Sequence, residues 1–341
     1  MTCPAAQGFV LKGVLKLGID VTPLVQTRAG TARYLNSLLR ELRARDDVLV
    51  HPRSFGGGGR WWNLPRDGVW YPFLLERSVR ELDVLHCPTY RGPVRGPIPR
   101  VVTVHDLAVF RHPEAFNSWS RRYGPRVIPR VLRTARRVIA VSEFTKRELV
   151  ELLAVPEAKI RVVPNAVGKA FTPDGPPAGG DYVLAVGTLE PRKNLPRVAQ
   201  AARRAGVELR VVGVRGWGRV DVAGDGVRWV GEVSDEELAR LYRGARCLAY
   251  ASLYEGFGIP VLEAMACGTP VVTSRGGATE EIADGAAVLV DPLDPEEIAA
   301  GIERAATRRD ELARRGVERA RSFTWRAVTD ATVAVYREAA A

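Results

Sequence analysis

Apolar positions along this chain fall into short runs separated by longer stretches with helical spacing. In the first half, residues 14–21, 83–86, 101–105 and 137–141 read as strands. Residues 31–45 carry the spacing of an amphipathic helix, and Ser142 opens another that runs through Leu152. The second half is more regular. Runs at 182–187, 208–213, 227–230, 247–250, 271–273 and 287–290 alternate with helical patterns at 194–205, at 234–243 and after Ile259. Ser234 with Glu237 three positions on forms a capping box, a helix-start signal. Strands alternating with such helices predict an α/β fold of doubly wound, mostly parallel sheets.

The alternation breaks at Thr-Pro-Asp-Gly-Pro-Pro-Ala-Gly-Gly-Asp, residues 172–181, which is too rich in Pro and Gly to continue a helix or strand. We therefore expect an N-terminal Rossmann-like domain over 1–172, a linker over 173–181 and a second Rossmann-like domain over 182–322. The length of 341 residues suits two domains that each bury a core. Ligands in such sheets sit beyond the carboxyl ends of the strands, so the residues that follow each strand are the first candidates for chemistry.

Composition narrows the class. With 46% apolar and 26% charged residues, the chain is that of a globular protein, and disorder as the main state is excluded. No apolar run approaches the ~20 residues of a membrane-spanning helix. Residues 1–16 lack the pattern of a secretory signal. Cys3, Cys87, Cys247 and Cys267 are far apart with no C-x-x-C pair, which argues against a zinc site or disulfide framework and suits a reducing cytosol. The formal charge of +11 is unevenly spread: residues 1–168 hold 27 Lys/Arg against 14 Asp/Glu, and residues 169–341 hold 23 against 25. Much of the surplus lies in Arg121, Arg122, Arg126, Arg130, Arg133, Arg136 and Arg137, a surface suited to an anionic acceptor or membrane. No basic recognition helix or RNA-binding aromatic motif accompanies it, so no nucleic-acid partner is expected.

The richest stretch is Glu255-Gly-Phe-Gly-Ile-Pro-Val-Leu-Glu263. Pro260 belongs at a helix start, and the glycines before it let backbone approach a ligand closely. Unpaired amides at that helix start suit a diphosphate, and Glu255 and Glu263 flank it as acceptors for hydroxyls on either side. Such a set fits a nucleotide sugar.

At this point the chain resembles the retaining GT-B glycosyltransferases of the E-x7-E type, glycosyltransferase family 4. Gly187-Thr-Leu-Glu-Pro-Arg192-Lys193-Asn194 follows a predicted strand, as the family's diphosphate-binding basic pair does, and the His105-Asp106 step lies where family members place a His near the donor sugar. Gly30 matches the glycine loop after the first strand, although Ala32 stands where a second Gly is usual. The resemblance thus implies His105, Glu255, Lys193 and Arg192 as catalytic residues. For the donor it implies Gly30, Arg192, Lys193, Gly256, Phe257, Gly258, Ile259 and Glu263. The residues around 141–149 and 162–166 are similar to GDP-mannose-using members, with Ala166 in place of a usual Gly, and 323–341 is similar to the tail helix that packs back on the first domain.

No Asp-x-Asp motif ends a strand and no His/Cys/carboxylate group has ligand spacing, so neither metal nor cofactor is expected. The implied activity is retaining transfer of a hexose, mannose favoured, from a nucleoside diphosphate sugar, GDP-mannose favoured, to a glycan, lipid-linked or small-molecule acceptor hydroxyl. The expected place is the cytoplasm, with a peripheral contact to the inner membrane face. A nucleotide-sugar epimerase or a phosphorylase on the same fold is the enzymatic alternative. The loop 56–59 beside Trp61 and Trp62 is a candidate acceptor contact, and the tryptophans fit either stacking on sugar or burial in the core.

Overall fold

The computed structural model describes residues 13–26, 30–57, 59–116, 118–214 and 225–341. Cys3, Gly58 and the leader reading over 1–12 lie outside them.

The described residues form two parallel six-stranded sheets. The first contains β1 (Leu15–Asp20), β2 (Val48–Arg53), β3 (Val84–Cys87), β4 (Arg100–Val104), β5 (Arg137–Ala140) and β6 (Ile160–Val162), in the order β2-β1-β3-β4-β5-β6. The second contains β7 (Tyr182–Val186), β8 (Glu208–Val212), β9 (Val227–Gly231), β10 (Cys247–Tyr250), β11 (Val271–Ser274) and β12 (Val288–Val290), in the order β12-β11-β10-β7-β8-β9. Each sheet is buried on both faces, which is why its strands read as continuous apolar runs rather than alternating ones. In β7, for example, Tyr182 and Leu184 pack into one cluster while Val183 and Ala185 pack into the one behind it.

The strand order positions the site. Chain order reverses direction between β7 and β10 in the second sheet and between β1 and β3 in the first, and such reversals open a crevice at the strands' carboxyl ends. The Trp325–Ala340 helix lies across the first sheet: Trp325, Val328 and Tyr336 share a core with Leu17, Ile19 and Val101. Tyr336 also bonds the buried His86 ring at 2.7 Å, and Thr103 bonds its other side at 2.9 Å. Burial drives the His86 pKa down to about 3, so that ring is a neutral structural link.

The predicted strands and helices above are all present, with ends shifted by a residue or two. Ser142 and Ser234 cap their helices, accepting from the amides of Thr145 and Glu237. Elements that the pattern did not reveal include β2, β6, a helix at Ser118–Thr134 and the helices at Pro295–Thr307 and Arg309–Ala320. Pro52 is tolerated in β2 because that strand is at the sheet edge and bonds a neighbour on one side only. Pro125 and Pro129 hid the helix, which persists because Ile128, Val131 and Leu132 bury its inner face.

Candidate functional site

β7 ends at Val186, and the chain turns through Gly187 into a single tight turn, Pro191–Lys193. Asn194 follows in the left-handed region at φ 57° and begins the Leu195–Arg204 helix. Its side-chain amide donates to the carbonyls of Ala251 (2.9 Å) and Pro292 (2.6 Å), which fixes the turn against the loop after β10. Arg192 and Lys193 are thereby delivered to Glu255, in the adjacent loop.

Lys193 Nζ donates to Glu255 Oε1 at 2.6 Å and to Tyr250 Oη at 2.7 Å, and that hydroxyl donates to the same carboxylate oxygen at 2.8 Å. Arg192 Nη1 donates to Glu255 Oε2 at 3.0 Å, while its Nη2 pairs with Glu190 at 2.7 Å. The Glu255 side chain is only 10% exposed. Burial alone would raise its carboxyl, but the Lys193 and Arg192 charges outweigh that and bring it down to about 2. Burial pulls the Lys193 ammonium below its usual value despite Glu255. Two cations and two carboxylates thus form a compact group with no net charge.

The next residue joins the domains. A Cβ on Gly256 would lie 1.8 Å from the His105 carbonyl oxygen, so only glycine allows this approach. The Gly256 carbonyl accepts from Ser142 Oγ (2.6 Å) and Thr145 Oγ1 (3.0 Å), across the cleft. Glu281 of the second domain accepts from the Glu143 and Phe144 amides at 2.8 Å each. His105 Nε2 donates to the Pro88 carbonyl at 3.0 Å, which leaves Nδ1 as the acceptor nitrogen, and burial holds its pKa below the ordinary value.

Gly258, at φ +105°, starts the Ile259–Ala266 helix, with Pro260 in its first turn. One turn along, Glu263 is buried, 2% exposed. Tyr242 donates to its Oε2 at 3.1 Å, and Arg33 Nη1 from the first domain lies 3.4 Å from its Oε1. Here burial prevails over Arg33 and Tyr242 and raises the carboxyl to about 7.

His105, Arg192, Lys193, Glu255, Gly256 and Gly258 therefore converge where the two sheets face each other. Glu263 stands behind them, reached by Arg33. Phe257 turns its ring into the core against Phe323, 6.1 Å between centroids, so it offers the cleft its backbone. Half-buried Ile259 begins the helix. Gly30, at the start of the Gly30–Arg43 helix, faces open space and touches none of the others.

Sequence reasoning missed Arg33, Glu190, Tyr242 and Tyr250. Tyr250 carried a usable signal, as the last residue of a strand five positions before Glu255; Arg33 carried none, since its carboxylates are over 200 positions away. It also missed Asp20, buried at the end of β1, where Tyr71 donates to it at 3.2 Å and burial raises its carboxyl to about 6. Of the basic run, Arg121, Arg122, Arg126, Arg130, Arg133 and Arg136 are exposed. Arg137 is half-buried and pairs with Glu338 at 2.9 Å, so it leaves that surface. Trp61 is 93% exposed and Trp62 40%, which decides against a buried pair. Among the described residues no group of side chains could hold a metal ion, and no helix is long and apolar enough to cross a membrane.

Comparison with known proteins gives two family matches: residues 169–323 to "Glycosyl transferases group 1" and residues 11–170 to "Glycosyltransferase Family 4". The chain is 32% identical to O-antigen chain mannosyltransferase B of Escherichia coli over 284 residues, 74% of each chain. It is also 32% identical to the D-inositol 3-phosphate glycosyltransferase of Acidothermus cellulolyticus, over 87% of this chain and 74% of the relative. Among solved structures, HepE of Anabaena in complex with UDP and glucose superposes with a TM-score of 0.72 at 17% identity, covering 95% of this chain and all of the other.

Proposed function

The chain belongs to glycosyltransferase family 4 and has the two-domain GT-B fold, and from that premise we propose that it is a retaining, metal-independent hexosyltransferase using a nucleoside diphosphate sugar. The observation that carries this reading is the convergence of Arg192, Lys193 and Glu255 at the β7/β10 crevice, with the His105 backbone packed on the adjoining Gly256.

The donor occupies the second domain, 182–322, and the acceptor the first, 1–172. Glu263 receives the ribose hydroxyls. The backbone from Gly256 to Ile259 presents helix-start amides to the diphosphate, with Gly30 approaching from the other domain. Arg192 and Lys193 neutralise the leaving diphosphate, and Glu255 orients the donor sugar. His105 supports charge near the anomeric carbon. The acceptor oxygen forms its bond to that carbon on the face that the phosphate leaves, the carbon–phosphate oxygen bond breaks, and the departing oxygen takes the acceptor's proton. Preorganised charge does the work a metal does elsewhere.

Mannosyltransferase relatives support mannose as the sugar, and we take GDP-mannose as its donor. The exposed arginines of the Ser118–Thr134 helix, with exposed Trp119 on the same helix and exposed Trp61, Leu64 and Phe73 along residues 61–73, favour a lipid-linked acceptor met at an anionic membrane, at the inner face. Trp119 ties the two parts together by donating to Asp67 at 2.9 Å.

A thermal-shift panel of GDP-, UDP-, ADP- and TDP-sugars tests the donor, since a ligand raises stability by mass action. GDP-mannose giving the largest shift is the expected result. The anomeric configuration of the product by NMR tests retention, and an inverted product would overturn the mechanism. Undiminished rates in EDTA are expected. Vesicle co-sedimentation tests the membrane contact, and no binding to anionic vesicles at low salt would refute it.

A further inference from the structure

Arg33 is the cation of the cleft that the proposed reaction does not use. It sits in the first turn of the Gly30–Arg43 helix, 41% exposed, and all its ion pairs cross to the second domain: Asp235 on one side and Glu263 on the other. Its guanidinium also lies 6.0 Å from the Phe171 ring centroid. We propose that Arg33 is a donor-binding residue lent by the first domain, one that pairs with Glu263 and Asp235 and passes from them to the diphosphate when donor enters.

Three observations lead to this assignment, which rests on the nucleotide-sugar reading above. First, both oxygens of Glu263 are engaged, Oε2 by Tyr242 and Oε1 by Arg33. Each oxygen has a second acceptor site, but the Arg33 guanidinium stands at Oε1, the oxygen Tyr242 leaves open, so a ribose hydroxyl that reaches Oε1 displaces the partly exposed Arg33 rather than the buried Tyr242. Second, Arg192 and Lys193 share their charge with Glu190 and Glu255, so by themselves they offset an incoming diphosphate only in part. Arg33 adds a third cation on releasing its carboxylates. Third, Arg33 is three residues after Gly30, in the first turn of its helix, and its side chain reaches across to the second domain. A partly exposed side chain exchanges one charged partner for another at little cost, because water screens both pairs.

The exchange predicts opposite effects on the two halves of the ligand. Titration calorimetry on wild type and Arg33→Ala with GDP and UDP reads the diphosphate, and saturation-transfer NMR with guanosine and uridine reads the nucleoside. The variant should weaken the preferred diphosphate about 10- to 100-fold, the loss of one charge-assisted contact, while the nucleoside binds as well or better because Glu263 is freed. Arg33→Lys should fall between, keeping the charge without the two-pronged reach. Equal weakening of nucleoside and diphosphate would reduce Arg33 to a support for Glu263 and overturn the proposal. So would unchanged diphosphate affinity. Wild type that takes neither GDP nor UDP would overturn the donor reading itself, and Arg33's part with it.

Discussion

At the loop end of the Glu255 to Glu263 segment, a carboxylate is clamped between two cations and stays ionised to about pH 2. At its helix end, a second carboxylate has a tyrosine and one partly exposed arginine, and it titrates near 7. The two residues are alike in the sequence and nearly alike in burial. What separates them is the count of opposite charges within reach, and it decides that one is an ionised fixture while the other is ready to change partners.

Glu255→Gln gives the sharpest contrast. It leaves Lys193 without its carboxylate and Arg192 with Glu190 alone in a nearly closed site, and should cost about 3–5 kcal/mol at pH 7 by denaturant melts. A carboxyl whose folded pKa lies below its unfolded value near 4.5 stabilises above 4.5, and that help is lost as pH falls toward 2. The deficit of the variant should therefore shrink below pH 4.5. A deficit that does not change with pH would show that the pairing contributes nothing.

Lys193→Ala should lower turnover about 100- to 1000-fold by removing one charged donor to the leaving group. Wild-type rates from the purified variant would sink the diphosphate assignment.

Glu263→Gln should act with the opposite sign. Its folded pKa of about 7 lies above 4.5, so in the wild type folding is penalised progressively from pH 4.5 to 7 and fully above that. The variant should be more stable than wild type by up to about 3 kcal/mol at pH 8.5 and equal to it near pH 4.5, as melting curves across that range would read. Stabilisation and weaker donor binding should appear together, the sign of a site kept at the expense of stability.

Ser142→Ala is the mildest test, about 1 kcal/mol from a lost helix cap and a lost bond to Gly256. A rise in donor KM with kcat unchanged would show that this contact holds the loop end of the segment in place.

Much of the site was legible because it lies immediately after strands. Glu255, Arg192, Lys193 and His105 each follow an apolar run within a few residues, and a parallel sheet places all such ends on one edge. Arg33 was not legible, because a lone arginine on an amphipathic helix reads as a solvated face; its meaning comes from Asp235 and Glu263, which another domain supplies. Phe257 looked like a ligand contact in its glycine-rich setting, yet its ring serves the core. The helix at Ser118–Thr134 was hidden by two prolines, which local propensity disfavours and packing overrides.

By itself the sequence determined the alternation of strands and helices, hence the two doubly wound sheets, and the glutamate motif, because these depend on local spacing and on chemistry carried by neighbouring residues. Only the tertiary structure decided the electrostatic state of each glutamate, the clasp of Gly256 against His105 and the bridge made by Arg33. Charge–charge energies and close backbone approach depend on distances through space, and residues far apart along the chain set those distances.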